Sequence, residues 1–257
     1  MLFPDLVSVI MPAYQAQATI AESLESLLSQ TYVNWELLVI VDRNSHDDTF
    51  AIAKSYAAKD QRIVVIDNLP HGGCAYNRNE GIERAQGEYI AFLDSDDLWL
   101  PEKLEKQIAC MNRTGTLLSY TGYTQINWKG ERLSQVVTPP DQLTYDDLLS
   151  DNQLGCLTAI VRTKALSELK FVDHLHEDLI LWLQLLRTTT AHGLSEPLAI
   201  YRQAPGSRSG NKIKAAQARW RILRHYEKLP LSRAIPCFIK YAVSALKKRN
   251  LADLRPS

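Results

Sequence analysis

The sequence has no net charge, no closely paired cysteines and no histidine cluster, and these absences argue against a nucleic-acid-binding protein and against a zinc site. Its 29 Lys and Arg residues balance 29 Asp and Glu residues, and a net charge of zero argues against a nucleic-acid-binding protein. Its four cysteines form no C-x-x-C pair, and its histidines form no cluster with zinc-site spacing. Cysteines spaced so widely are typical of a reducing compartment, and we expect a cytoplasmic protein.

Long hydrophobic runs are also missing. No stretch of 18 apolar, uncharged residues occurs, so we expect neither a signal peptide nor a membrane-spanning helix. The 257 residues are 46% hydrophobic and 23% charged, which excludes disordered and collagen-like chains. This length suffices for one large α/β domain or two small domains.

The zero net charge hides an uneven distribution. Residues 1–210 hold 17 basic and 27 acidic residues, whereas residues 211–257 hold 12 basic and 2 acidic residues. We therefore predict a domain over 1–210, with halves 1–115 and 116–210, followed by a basic helical tail over 211–257. Two apolar stripes run through this tail: Ile213, Ala216, Trp220 and Leu223, then Ile235, Phe238, Ile239, Ala242, Val243 and Leu246. Such helices either contact a membrane surface or pack on the domain or in a homodimer interface.

Strand and helix patterns alternate three times in the first half. The apolar runs at 7–11, 36–41, 62–66 and 88–93 are typical of buried parallel strands. Thr19 and Glu22 have the spacing of a capping box at the first helix. The second half adds strand patterns at 117–128, 157–162 and 198–202, a polar loop at 129–141 and an apolar helix at 177–187. We predict an α/β, Rossmann-like, mostly parallel sheet with helices on both faces.

Candidate ligands follow three of these strands, at the edge where such sheets bind ligands. They are Pro12-Ala13-Tyr14, Asp42 and the run from Asp94 to Asp97. Carboxylates at Asp94 and Asp96, directly after a buried strand, favour Mg²⁺ or Mn²⁺; the alternative is a solvated turn that caps a helix. Asp42 either accepts a hydrogen bond from a base or ribose or only starts a turn.

Two further candidates lie elsewhere in the chain. Arg78 follows His71-Gly72-Gly73 and could pair with phosphate or with the Asp cluster. Asp178 follows Glu177 at the start of an apolar helix. It is either a general base or an acid placed there by the helix dipole.

Four segments, taken in order, resemble the family 2 glycosyltransferases, inverting enzymes of the GT-A fold that use nucleotide-sugar donors. The segments are 7–14, 28–42, 72–82 and 87–104. The similarity is strong over 7–110 and weaker over 155–210. One departure is Arg43, where the family usually has a second Asp after Asp42. Another is a closing loop, Tyr201-Arg202 to Ser207-Arg208-Ser209, that lacks the family's frequent His.

The resemblance implies a role for each matching residue. Asp94 and Asp96 would hold Mn²⁺ or Mg²⁺ on the donor diphosphate, and Asp178 would be the general base. The donor would contact Pro12, Ala13, Tyr14, Asp42, Arg78, Ser95 and Asp96.

The resemblance also implies the reaction. A sugar would pass from a nucleotide sugar, with UDP favoured, to a hydroxyl of a saccharide or lipid-linked saccharide in cell-surface polysaccharide biosynthesis. The enzyme would be cytoplasmic or peripheral on the inner face of the membrane.

Three alternatives remain. A dehalogenase-type phosphatase carries its Asp-x-Asp early in the chain and follows it with Thr or Val. The Asp-x-Asp of this sequence comes after the fourth strand and is followed by Asp97. A nucleotidyltransferase would need a Gly-rich basic loop after the first strand, and Pro12-Ala13-Tyr14 is not one. A non-catalytic module that binds sugar nucleotides stays open.

Overall fold

The computed structural model describes residues 2–69, 72–204 and 212–253. Its strands and helices are, in chain order, β1 (Phe3–Ala13), α1 (Ile20–Leu28), β2 (Trp35–Asp42), α2 (Thr49–Ala57), β3 (Ile63–Leu69), α3 (Gly73–Arg84), β4 (Gly87–Phe92), β5 (Leu98–Trp99), α4 (Lys103–Thr114), β6 (Leu118–Asn127), β7 (Arg132–Val137), β8 (Gln142–Leu143), α5 (Tyr145–Ser150), β9 (Ile160–Arg162), α6 (Glu177–Leu186), β10 (Ala191–Gln203), α7 (Lys212–Arg221) and α8 (Leu231–Asp253).

All the described strands join in one sheet of ten strands. The main order is β3-β2-β1-β4-β9-β6-β10-β5, with β7 beside β6 and β8 beside β10. Strands β3, β2, β1 and β4 are parallel to one another, and β6 is parallel to β10. The short β9 is antiparallel to both β4 and β6 and joins the two halves. The predicted Rossmann-like, mostly parallel sheet is confirmed.

Helices cover both faces of the sheet, as predicted. Successive residues of a strand point to opposite faces, so β1 contributes to two cores. Val9 and Met11 pack in one core with α1 and α4, while Ile10 packs in the other with α6 and the helices that follow it. Because β1 is buried on both faces, its sequence is continuously apolar rather than alternating.

The C-terminal helices pack on the second of these cores. Ile222 and Leu223, in a π-helical turn that follows α7, are fully buried. Trp220 meets Phe238 of α8 edge to face, with ring centroids 5.4 Å apart. Ile213 of the first predicted stripe is exposed instead. The division of the chain at residue 210 stays a prediction. Within the described residues, no helix combines the length and the hydrophobicity needed to cross a membrane.

Two local predictions were wrong. The predicted polar loop 129–141 contains β7, which pairs antiparallel with β6. The predicted capping box is absent, because the Thr19 side chain makes no cap hydrogen bond. Its hydroxyl donates instead to the Ser95 carbonyl oxygen, 2.9 Å away. A tertiary partner thus replaces the local one. His71 and the loop Ser207-Arg208-Ser209 lie outside the described residues.

Candidate active site

The predicted donor-binding residues of the first two strands lie side by side. In the β1–β2 register, Ala13 pairs with Val41, so Tyr14 and Asp42 leave the sheet at the same edge. Pro12, Ala13 and Asp42 are buried, whereas the Tyr14 side chain is 53% exposed. The Asp42 carboxylate accepts a hydrogen bond from the Asn44 amide at 3.0 Å. An exposed ring beside a buried carboxylate is an arrangement that can receive a planar base.

Asp47 holds together the loops that follow β1 and β2. This role was not predicted from the sequence. The Asp47 carboxylate accepts hydrogen bonds from the Gln17 amide, the Ser45 hydroxyl and the Thr49 amide and hydroxyl. Burial raises the pKa of Asp47, but these hydrogen bonds outweigh burial and bring it down to about 2. Asp47 therefore stays ionised and fixes the β1–α1 loop on the β2–α2 loop.

The acidic run after β4 forms a tight turn. The Asp97 amide donates to the Asp94 carbonyl oxygen at 3.1 Å. Arg202 of β10 then fastens this turn from the other half of the chain. Its amide donates to the Asp97 carboxylate at 2.8 Å, and its Nε donates to the Asp96 carbonyl oxygen at 2.8 Å. Its Nη2 reaches Glu22 of α1 at 2.6 Å. Arg202 thus fastens the turn through the Asp97 carboxylate and the Asp96 backbone, and not through the Asp96 carboxylate.

The turn concentrates negative charge. Burial, and after it the neighbouring Asp94 carboxylate, raise the pKa of Asp96 to about 6. Burial, then Asp96 and Asp94, also raise the pKa of Asp97. Burial and mutual repulsion thus disfavour the ionised form of these carboxylates, and additional positive charge would favour it. Among the described residues, no three His, Cys, Asp or Glu side chains form a ready-made metal cluster. A hard cation here would therefore need further oxygen ligands, such as phosphate and water.

Arg78 connects this turn to α6. The side chain is buried, and its Nη2 donates to both Asp94 carboxylate oxygens at 2.7 and 3.0 Å. Its Nη1 donates to the Glu177 carboxylate at 2.9 Å. The guanidinium lies 5.4 Å from the centre of the Phe171 ring. Burial lowers the pKa of Arg78, but Asp94 and other neighbours raise it well above its usual range. Arg78 therefore contacts the Asp cluster, one of its two predicted partners.

The two acids at the start of α6 differ in their surroundings. Glu177 is buried in its ion pair with Arg78, whereas Asp178 is partly exposed. Asp178 accepts a hydrogen bond from the Leu179 amide at 2.7 Å. Burial and the Glu177 charge raise the pKa of Asp178 to about 6, although the Leu179 amide and Arg78 lower it. A carboxylate ionised at neutral pH but more basic than usual has the properties of a general base.

The sequence thus missed Asp47, Glu22, Glu177 and Arg202 as parts of the site. Glu22 and Arg202 are 180 residues apart, and neither has a local signal for its role. Glu177 was recognised as the neighbour of Asp178, but nothing in the sequence indicated which of these two acids pairs with Arg78. The described site unites elements of both halves of the chain.

Solved glycosyltransferases share this fold. The structure of S. aureus TarS in complex with UDP-GlcNAc matches with a TM-score of 0.69 and 23% identity, over 85% of this chain and 64% of that one. This chain therefore spans slightly less than two thirds of that TarS chain. The mannosyltransferase PcManGT from Pyrobaculum calidifontis, in complex with GDP-Man and Mn²⁺, matches with a TM-score of 0.64 and 17% identity, over 91% and 68% of the two chains.

Curated relatives are similar over nearly their whole length. The putative teichuronic acid biosynthesis glycosyltransferase TuaG of Bacillus subtilis is 41% identical, over 95% of this chain and 97% of TuaG. The Escherichia coli UDP-Glc:alpha-D-GlcNAc-diphosphoundecaprenol beta-1,3-glucosyltransferase WfgD is 36% identical, over 95% of this chain and 94% of WfgD. The protein-family model described as Glycosyl transferase family 2 matches residues 8–166. The resemblance found in the sequence is confirmed: this chain belongs to glycosyl transferase family 2.

Proposed function

We propose that this enzyme transfers a sugar, with inversion, from a UDP-sugar to a hydroxyl of a lipid-linked saccharide during cell-surface polysaccharide synthesis. The observation that carries the proposal is the Asp94–Arg78–Glu177 bridge. It holds the acidic turn after β4 and the start of α6, where Asp178 lies, in one site. The names of TuaG and WfgD support the acceptor class, and WfgD supports UDP as the nucleotide.

The donor would occupy the edge formed by β1, β2 and β4. Tyr14 and Asp42 would contact the base and ribose, with Pro12 and Ala13 behind them. The diphosphate would lie towards Ser95 and Asp96, close to Arg78. The fixed loops around Asp47 support this assignment, because a preformed pocket loses little conformational entropy when it binds the nucleotide. In this assignment, residues 1–115 bind the donor and residues 116–210 bind the acceptor.

The acidic turn fits a divalent cation. Asp96 offers a carboxylate whose raised pKa reflects burial first and then the charge of Asp94, and the Asp94 side chain stays 32% exposed beside Arg78. We assign Asp96 as the direct ligand of Mn²⁺ or Mg²⁺ and Asp94 as its companion. When bound, the cation supplies positive charge that neutralises the departing nucleoside diphosphate.

Asp178 would take the proton from the attacking hydroxyl of the acceptor as the new glycosidic bond forms. The bond between the anomeric carbon and the donor diphosphate breaks in the same step, so the product carries the opposite anomeric configuration. Arg78 keeps Glu177 occupied and leaves Asp178 to act as the base. A single displacement needs no covalent intermediate on the enzyme, and the proposal assigns no nucleophilic side chain.

Replacing the proposed metal ligand tests the role of the turn. Asp96→Asn keeps the size of the side chain but removes its charge, so we expect Mn²⁺ to stop strengthening UDP binding. Calorimetric titration of UDP with and without Mn²⁺ measures this change. Asp48→Asn, an exposed acid outside the turn, is the matched control and should bind like the wild type. Undiminished Mn²⁺ dependence in Asp96→Asn would show that another group holds the cation.

A donor screen tests the proposed function itself. UDP-, GDP- and dTDP-sugars are compared by thermal unfolding with Mn²⁺, because a ligand that binds the folded state raises the midpoint. We expect the largest shift with a UDP-sugar, and release of UDP that depends on a GlcNAc-diphosphate lipid acceptor. Formation of UTP and sugar 1-phosphate from a UDP-sugar and added pyrophosphate would instead support the nucleotidyltransferase alternative. Binding of a UDP-sugar without any transfer would support the non-catalytic module.

A further inference from the structure

One side of α8 presents an apolar row to solvent. Leu231, Ile235, Ile239 and Val243 are each separated by four residues and are 45 to 55% exposed. Residues four apart on a helix are neighbours, so these side chains form one continuous row. No other described helix carries more than one exposed large hydrophobic side chain. We call these four residues the outer row of α8.

The part of the chain that the structure describes does not use this row for packing. The opposite side of α8 faces the core: Ala234 is fully buried, and Phe238 meets Trp220. Ser244 donates to the Asp151 carboxylate at 2.8 Å, which fixes the helix on α5. The rotation of α8 about its axis is therefore set by internal contacts, and the outer row is left to solvent. The second apolar stripe predicted for the tail combined residues from both sides of this helix, such as Phe238 and Ile239.

The described charges that α8 itself carries beside the row are positive, and one of them, Arg233, is paired with Asp146 of α5. Lys240 is exposed and lies three residues before Val243, and Lys228 is exposed just before the helix. The sequence from Leu231 to Ala252 contains no Asp or Glu. A second copy of this face would bring like charges together, which disfavours a dimer through the row. A surface with negative headgroups above an apolar layer complements both the row and its charges.

We propose that the outer row of α8 docks this enzyme on an anionic phospholipid bilayer. The row would enter the boundary between headgroups and acyl chains, and Lys228 and Lys240 would contact the headgroups. This inference rests on the proposed function, because a lipid-linked acceptor stays in such a bilayer. Docking would bring the acceptor to the enzyme by diffusion in two dimensions.

Vesicle flotation of the full chain tests the proposal. The probes are phosphatidylglycerol and phosphatidylcholine vesicles, and the variants are Ile235→Ser with Ile239→Ser, and Lys240→Glu alone. We expect the wild type to float with phosphatidylglycerol, and the double variant to lose binding by roughly tenfold or more. Lys240→Glu should weaken binding to phosphatidylglycerol and leave the weak binding to phosphatidylcholine unchanged. Val33→Ser with Val64→Ser removes two exposed apolar side chains away from α8 and should float like the wild type.

Titration of each variant with UDP separates this inference from the proposed function. We expect the double variant to bind UDP normally, which also shows that it is folded. If the double variant floats like the wild type, or if the wild type binds UDP but not phosphatidylglycerol, the docking proposal is wrong. A wild-type dimer in solution that the double variant dissociates would also overturn it. Failure of the wild type to bind UDP would instead contradict the proposed function.

Discussion

Asp178→Asn should lower kcat by about 10²- to 10⁴-fold, the contribution typical of a general base. The amide has nearly the shape of the carboxylate and can still accept the hydrogen bond from Leu179, so the fold and the affinity for UDP should stay unchanged. Steady-state transfer rates with saturating donor measure the effect. Asp173→Asn, an exposed acid five residues earlier, is the control and should keep the wild-type rate.

The pH profile provides an independent check on the same residue. With the pKa of Asp178 raised to about 6, the side chain is protonated below that pH and cannot accept a proton. With donor and Mn²⁺ saturating, so that the bound cation keeps Asp96 ionised, we therefore expect kcat of the wild type to fall as the pH is lowered through about 6. In Asp178→Asn the residual rate should no longer fall over this pH range, so the acidic limb of the profile should be absent. A variant that kept the limb, or kept most of the rate, would assign the base to another group.

Arg78→Met should cause the largest loss of stability among the site variants. It leaves the buried Glu177 carboxylate and the half-buried Asp94 carboxylate without their shared cation, and removing one partner of a buried pair costs roughly 3–5 kcal/mol. Transfer should also fall sharply, because Asp94 and the start of α6 lose their common anchor. Urea unfolding measures the first effect. Arg84→Met is the control: it lies on the same helix in an exposed pair with Glu80 and should unfold almost like the wild type.

A double-mutant cycle then separates the ion pair from simple packing. If Glu177 is destabilising only when it is unpaired, Arg78→Met with Glu177→Gln should be more stable than Arg78→Met alone. Arg78→Lys should restore little of the lost stability, because one ammonium group cannot reproduce the separate hydrogen bonds that the guanidinium donates to Asp94 and Glu177. Equal stability of the single and double variants would indicate that Glu177 is not held by Arg78 in solution.

The sequence predicted the fold because the fold depends on local patterns. Buried parallel strands require continuous apolar runs, and the runs that end near Ala13, Asp42 and Leu93 therefore located the edge of the sheet and most candidate ligands. The same pattern could not predict the antiparallel β7, because a short strand that pairs with β6 at the side of the sheet needs no continuous apolar run. Family resemblance supplied the roles that periodicity alone left open.

The contacts that hold the site together depend on residues far apart in the chain. Arg202 fastens the turn at Asp96 and Asp97, and nothing near Arg202 in the sequence points to that turn. Thr19 and Glu22 have the spacing of a capping box, yet they bond to Ser95 and Arg202 instead. Local rules failed at these residues because each one contacts the candidate active site.

One measurement tests the central claim, a single displacement from a nucleotide sugar, most directly. The enzyme is incubated with Mn²⁺, an α-linked UDP-sugar and a GlcNAc-diphosphate lipid, and the anomeric proton of the new linkage is observed by NMR before any rearrangement. The account predicts a β-linked product, with one UDP released for each bond formed. An α-linked product would mean that the configuration is retained, which a single in-line displacement cannot give, and would contradict this mechanism.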